Sequence, residues 1–233
     1  MSGFTRAAVR LGARRTVPLL VGVTPFGLVA GVVAQGHGLS LGEAGMMSAL
    51  CYAGSAQLLA LSHWAAPAPA VAATFAALVV NLRLALMGPV LSPWLDRVRG
   101  WRLWGSLFLM ADQNWALAVQ QMQAGPERHE PADAGFLFGS GLVMWLVWVA
   151  TTLLGHALGS VVRPPPGHPL FFAALAVFVT LLAPMWRGRA DALPWGVAAV
   201  VSVGAAWALP GTWYIVIGAL AGCGAGAWRD ASR

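Results

Sequence analysis

The stretch AGFLFGSGLVMWLVWVATTLLGHALGSVV, residues 134–162, runs for 29 positions without an Asp, Glu, Lys or Arg. A helix rises 1.5 Å per residue, so about 20 apolar residues cross the roughly 30 Å hydrocarbon layer of a bilayer. This run is long enough to do so, and it has company. No charge occurs between Arg15 and Glu43, none between Glu43 and Arg83, and none in 164–186 or 192–228. The 233 residues are 58% hydrophobic and 9% charged, with a mean hydropathy of +0.70. A soluble domain carries about 25% charged residues, and one globule of this size cannot bury so much apolar side chain. The composition describes a polytopic membrane protein.

The opening residues, with Arg6, Arg10, Arg14 and Arg15 before an apolar run, imitate a signal peptide. Later runs are equally apolar, so the first is read as a retained helix. Residues 1–16 are expected as a basic cytoplasmic arm, 17–228 as the transmembrane domain and 229–233 as a short tail. Cys51 and Cys223 lie within apolar runs, where neither a disulfide nor a metal site is indicated. The net charge of +6 comes from basic residues scattered between segments. That is the pattern of cytoplasmic anchoring and attraction to anionic lipid, whereas a nucleic-acid partner would need a basic face on a folded module.

Apolar segments fall near 17–35, 44–62, 68–91, 101–123, 134–160, 170–186, 192–209 and 212–228. They lack the alternation of a β-barrel and suit helices. The expected fold is all-α, a transmembrane bundle of about seven or eight apolar segments, with discontinuous helices and diverged inverted repeats over 17–110 and 130–228. The 28 glycines permit close helix packing.

Charge suggests an orientation. The basic N-terminus and the connection with Asp96, Arg97, Arg99 and Arg102 both read as cytoplasmic. Three apolar runs separate them, yet two points on one side require an even number of crossings. Either the charge rule fails once or one of these runs does not cross fully, and the two richest in helix-interrupting residues are those containing Thr24-Pro25-Gly27 and Gly54-Ser55. The connection 124–133, with Glu127, Glu130 and Asp133 against Arg128, reads as extracytoplasmic; 161–169, with Arg163 and a proline run, reads as cytoplasmic. Trp64, Trp94, Trp101, Trp186, Trp195 and Trp228 lie near segment ends as interfacial belt residues. Trp115, Trp145 and Trp148 are deeper, in a packed bundle or along a passage.

Polar residues recur inside the apolar runs. Arg83, with Asn81 beside it, costs roughly 3 kcal/mol near the bilayer centre on insertion scales. It either snorkels or caps carbonyls, or else it contacts an anion or forms a gating pair. Asp112, followed by Gln113 and Asn114, is its natural counterpart, as a fixed ion pair or as a carboxyl that takes up and releases a proton. In YAGSAQLLALS, residues 52–62, Gly54 and Ser55 allow close packing or a break, and Gln57 offers a donor and an acceptor. A half-helix starting there would present free N–H groups to a carboxylate; TPFGLVAG, 24–31, reads the same way with Pro25 in a first turn. Together these groups suit a passage for a small zwitterionic solute. An integral membrane enzyme is the weaker alternative: His37, His63, His129, His156 and His168 are dispersed, no phosphate loop occurs and the chain has no lysine. A non-transporting structural subunit is the third reading. No cofactor is expected.

The residues PFGLVAG (25–31), GLSLGEAGMMSALCYAGSAQLLAL (38–61), VVNLRLALMGPVLSP (79–93), LFLMAD (107–112) and GFLFGSGLVMWLVW (135–148) resemble, in order, the branched-chain amino acid permease family typified by the azaleucine-resistance protein C. The resemblance implies an inner-membrane exporter of branched-chain amino acids. It also implies a small hydrophobic membrane partner of the azaleucine-resistance protein D type. Its pattern falls on Pro25, Phe26, Gly27, Gly54, Gln57, Asn81, Arg83 and Asp112. Leu84 stands where relatives commonly carry His, and Gln113 where they often carry Glu.

Overall fold

The computed structural model describes residues 3–62, 64, 71, 74, 78, 81, 84, 85, 87–128, 130–161, 186, 188–209 and 213–231. Among them there are helices and no strand. Two units separate, 1–175 and 176–233.

The first unit is built on two long helical spans. Helix α1 (Arg6–Thr16) starts at Thr5, whose Oγ1 accepts from the Ala8 amide at 3.2 Å. A 3-10 turn over Val17–Leu19, opened by Pro18, leads straight into α2 (Leu20–Gly36). Arg6–Gly36 is thus one span of 31 residues, about 46 Å long at 1.5 Å per residue. The residues expected as an arm are helical from Arg6 onward and belong to this span. Pro25 lies inside α2 and starts no half-helix, which corrects the reading of 24–31. A proline in a helix interior costs about 3 kcal/mol; here packing two residues further on holds the helix together.

That packing is against the second span, called α8 below (Ala134–Val161, 28 residues). Gly12 lies against the backbone of Phe136 and Ser140, Gly139 against Val9, Gly31 against Thr152 and His156, and Gly155 against Leu28. A Cβ at any of these would overlap partner backbone, so the helices approach to a distance only glycine permits. Residues later in one span meet residues later in the other, so the two spans run parallel.

Two interrupted helices flank them. Helix α3 (Leu41–Leu50) begins with a capping box: the Ser40 amide donates to Glu43 Oε2 at 2.7 Å, and the Glu43 amide donates to Ser40 Oγ at 3.2 Å. It stops at Cys51, and α4 (Gly54–Ser62) starts after Tyr52 and Ala53. The pair enters where His156 Nε2 donates to the Leu39 carbonyl at 2.7 Å. It reaches Trp145, whose indole donates to the Ala49 carbonyl at 3.1 Å, and returns so that Leu61 packs with Ala34, Leu39 and Ala44. Ten and nine residues reach about 15 Å each, half the hydrocarbon thickness. The run 44–62 therefore turns back without crossing, which removes the parity conflict in the charge pattern.

A short 3-10 turn (Gly88–Leu91) and α5 (Ser92–Leu95) lead to the second interrupted helix. Helix α6 (Trp101–Phe108) starts at the N-terminal end of the bundle. Trp101 meets Phe4 and Phe138 edge-on at 5.8 Å each, and Arg102 stacks over Phe4 at 5.3 Å. It advances until Leu109 reaches Gly141. After a break at Met110–Ala111, α7 (Asp112–Arg128) runs back. Gln121 Nε2 donates to Glu130 Oε2 at 3.1 Å, and Arg15 pairs with Glu130 Oε1 at 2.8 Å.

This arrangement corrects two expectations. The connection 124–133 lies at the same end as the N-terminus, because 101–128 is a second hairpin and not a crossing. Conversely, Gly159 packs against Val32 and Gln35, so the connection after Val161 leaves from the opposite end. Gly3 packs on Arg97, and the N-terminus and the 96–102 connection do share an end. Residues 162–185, needed to follow the expected repeat in the second half, lie outside the described residues.

In the second unit, α9 (Ala192–Ala208) and α10 (Trp213–Ala231) pack antiparallel, Gly218 against Ser202 and Gly222 against Ala198. Val200, Val203, Trp207 and Leu220 point outward, as suits a lipid-facing hairpin.

Candidate functional site

Gly141, Trp145 and Trp148 stand at i, i+4 and i+7 and share one face of α8. The tip of α6–α7 rests on the first, and the tip of α3–α4 on the other two. Two hairpins entering from opposite ends thus stop within about 6–10 Å of each other along α8, measured by helical rise. Helices α4 and α7 begin at these tips and leave first-turn N–H groups there; α3 and α6 end there and leave carbonyls. Mid-depth polar backbone in a lipid-embedded chain is stable only where protein or a wet cavity satisfies it.

The two tips meet that demand differently. At the α6–α7 tip Asn114, fully buried, accepts from the Ala111 amide through Oδ1 at 2.7 Å and donates from Nδ2 to the Leu109 carbonyl at 2.8 Å. One side chain closes the break. Asp112 heads α7 as the acidic residue of its first turn, favourably placed against the helix dipole; Asp112 and Gln113 are half-buried. Trp115 donates its indole N–H to the Met87 carbonyl at 2.9 Å, tying α7 to the preceding segment.

At the α3–α4 tip, Gln57 Nε2 donates to Ser48 Oγ at 3.0 Å across the break. Gln57 Oε1, Tyr52 Oη and Trp148 Nε1 are buried and have no hydrogen-bond partner. Each such group costs about 1–3 kcal/mol if left dry. Phe26 and Trp148 pack at 5.3 Å between ring centroids, and both lie over Gly54, where a Cβ would stand 2.6 Å from either ring. Glycine at the first position of α4 is therefore a requirement of this aromatic lid.

The structure gathers Phe26, Gly54, Ser55 and Gln57 at one tip and Asp112, Gln113 and Asn114 at the other. Gly27 packs on Thr151 of α8, and Pro25 sits in the same helix. Asn81 has a buried Oδ1 without a hydrogen-bond partner. Arg83 lies outside the described residues, and the expected Arg83–Asp112 pairing with it. Sequence reasoning missed Ser48 and Tyr52 and left Trp148 open between packing and passage. The available signal was a polar-tipped aromatic, one of only two tyrosines, two residues before Gly54.

Broken helices that bring their ends to mid-depth, with polar groups left open between them, are the construction of membrane carriers. The chain belongs to the AzlC protein family, whose pattern matches residues 18–162, spanning α2 to the connection after α8 and both hairpins. It is thereby a member of a family of membrane transport proteins. It is similar to the inner membrane protein YgaZ of Escherichia coli (strain K12), with 25% identity over 174 residues covering 73% of this chain and 68% of the relative. No solved structure matches.

Proposed function

We propose that this chain carries branched-chain amino acids outward across the cell inner membrane as the large subunit of a two-component permease. The partner is a small hydrophobic membrane subunit of the azaleucine-resistance protein D type, and the N-terminal end of the first unit faces the cytoplasm. The observation that supports a carrier most directly is the meeting of two half-membrane hairpins on one face of α8. Each presents helix ends, and one retains three unpaired buried polar atoms. A zwitterion needs donors for its carboxylate and acceptors for its ammonium, and both kinds of group are present at the tips. Phe26, Trp148 and the apolar helix walls suit a branched hydrocarbon side chain. The inner-membrane location of the relative and the basic N-terminus support the placement and orientation.

The test is flux in vesicles containing this chain with and without the small subunit, comparing leucine, valine, methionine and a non-amino-acid anion under imposed ion gradients. Leucine or valine is expected to move faster than the anion, and faster with the partner present. Absence of flux in both preparations would favour a structural subunit, and chemical conversion of the solute would favour an enzyme.

A further inference from the structure

The contrast between the two tips locates the part of the substrate that every amino acid shares. The α6–α7 break is finished by its own side chain, since Asn114 satisfies both Ala111 and Leu109. The α3–α4 break is left open. Gln57 is 3% exposed and Trp148 4%, yet Gln57 Oε1, Trp148 Nε1 and Tyr52 Oη lack partners. Native proteins satisfy nearly all buried polar atoms, so three within one broken turn and the ring packed on it call for a missing counterpart. The free atoms also differ in kind. An indole N–H only donates, a phenol donates or accepts, and an amide oxygen only accepts. The Gly54 and Ala56 amides at the start of α4 add backbone N–H groups with no helical acceptor, at the positive end of a dipole. Phe26 and Trp148 close over Gly54 and supply an apolar wall beside these groups.

We propose that the α3–α4 tip is the seat of an α-amino-acid head group. The carboxylate is received by the Tyr52 hydroxyl, the Trp148 indole N–H and the Gly54 and Ala56 amides, and the ammonium by Gln57 Oε1. The proposal rests on the carrier reading above and names the chemistry recognised at its site. Ser48 is a positioning residue, holding the far end of the Gln57 amide. Phe26 and Trp148 form the apolar wall beside the head group, so the head group sets affinity and the aromatic wall sets side-chain preference.

The experiment pairs deletions in the ligand with deletions in the protein. Full-length chain in lipid vesicles is assayed for displacement of radiolabelled leucine by leucine, by 4-methylpentanoate, which lacks the ammonium, and by isopentylamine, which lacks the carboxylate. Tyr52→Phe and Trp148→Phe are expected to weaken leucine and 4-methylpentanoate by about tenfold or more while leaving isopentylamine within about twofold, the cost of one hydrogen bond to a charged group. Gln57→Leu is expected to weaken leucine and isopentylamine and to spare 4-methylpentanoate. Variants that weaken all three ligands equally, or none, would overturn the assignment.

A second readout uses Cys51 at the break, a free thiol, in a Cys223→Ser background. Bound leucine is expected to slow its alkylation by N-ethylmaleimide several-fold, and an unchanged rate at saturating leucine would also overturn the assignment. The two readings fail separately. If leucine is neither bound nor carried but another α-amino acid shows the same pattern, the head-group site stands and the branched-chain function falls. If vesicles carry leucine while the pattern is missing, the function stands and the site falls.

Discussion

Asn114 and Gln57 show how differently two buried amides are used. Both read in the sequence as polar groups inside apolar runs. The structure turns Asn114 onto its own backbone, three and five residues back, and leaves half of Gln57 open. Asn114→Ala orphans the Ala111 N–H and the Leu109 carbonyl. It is expected to lower stability by roughly 1–3 kcal/mol per orphaned group, read as a drop in the unfolding temperature of the purified protein in detergent. Gln57→Leu removes one hydrogen bond, to Ser48, and an amide oxygen that has no partner; with one bond lost against two, it is expected to cost less stability than Asn114→Ala while impairing ligand binding more. A reversed order in the same two assays would mean that Gln57 is structural and Asn114 functional. The amides could not be told apart beforehand because a residue code carries its hydrogen-bonding capacity but not the position of its partner.

At the scale of elements, glycine spacing decides how closely the two long spans approach. Gly139→Ala would drive a methyl group into the Val9 carbonyl and is expected to destabilise by about 1–3 kcal/mol, as overpacking does. Gly22→Ala meets nothing within 4 Å and is expected to be neutral, or to stabilise by up to about 1 kcal/mol through helix propensity. Thermal unfolding of the two variants side by side tests the parallel pairing, and equal effects would contradict it. The start of α3 depends instead on pH. Hydrogen bonds from the Ser40 backbone N–H and hydroxyl hold the Glu43 carboxyl below its ordinary range. Because the folded value is depressed, this contribution is complete at neutral pH and is lost as the pH falls from the ordinary glutamate value through the depressed one. Protection factors of the first-turn amides of α3, taken relative to intrinsic exchange at each pH, should therefore fall on acidification in the wild type, with a flatter response in Glu43→Gln. The Gly-Ser interruption was visible in the sequence; the glycine pairing was not, because its meaning depends on which helix lies opposite.

For the whole first unit, the consequence is which segments share a side. Arg15 and Glu130 are partly exposed, and such a pair contributes about 0–1 kcal/mol, but its geometry still fixes the N-terminus and the 124–133 connection at one end. In a chain with Cys51 and Cys223 replaced by serine, Arg10→Cys and Gln123→Cys should react with a membrane-impermeant maleimide from the same side of sealed vesicles, and His37→Cys from the other. Labelling of Gln123→Cys together with His37→Cys would refute the two-hairpin topology. The sequence by itself determined that this is a helical membrane protein, that its charge pattern conflicts with three full crossings between the basic segments, and which intramembrane residues are polar. Hydropathy measures how much of a run is apolar and how long it is. It carries no sign for direction, so a run that turns back at mid-depth looks like one that passes through. Only the tertiary structure decided that 44–62 and 101–128 both return, that their tips stop on one face of α8, and that one tip is closed while the other is open. Those outcomes depend on contacts between residues roughly 30 to 120 positions apart, and sequence periodicity records only neighbours within a few turns.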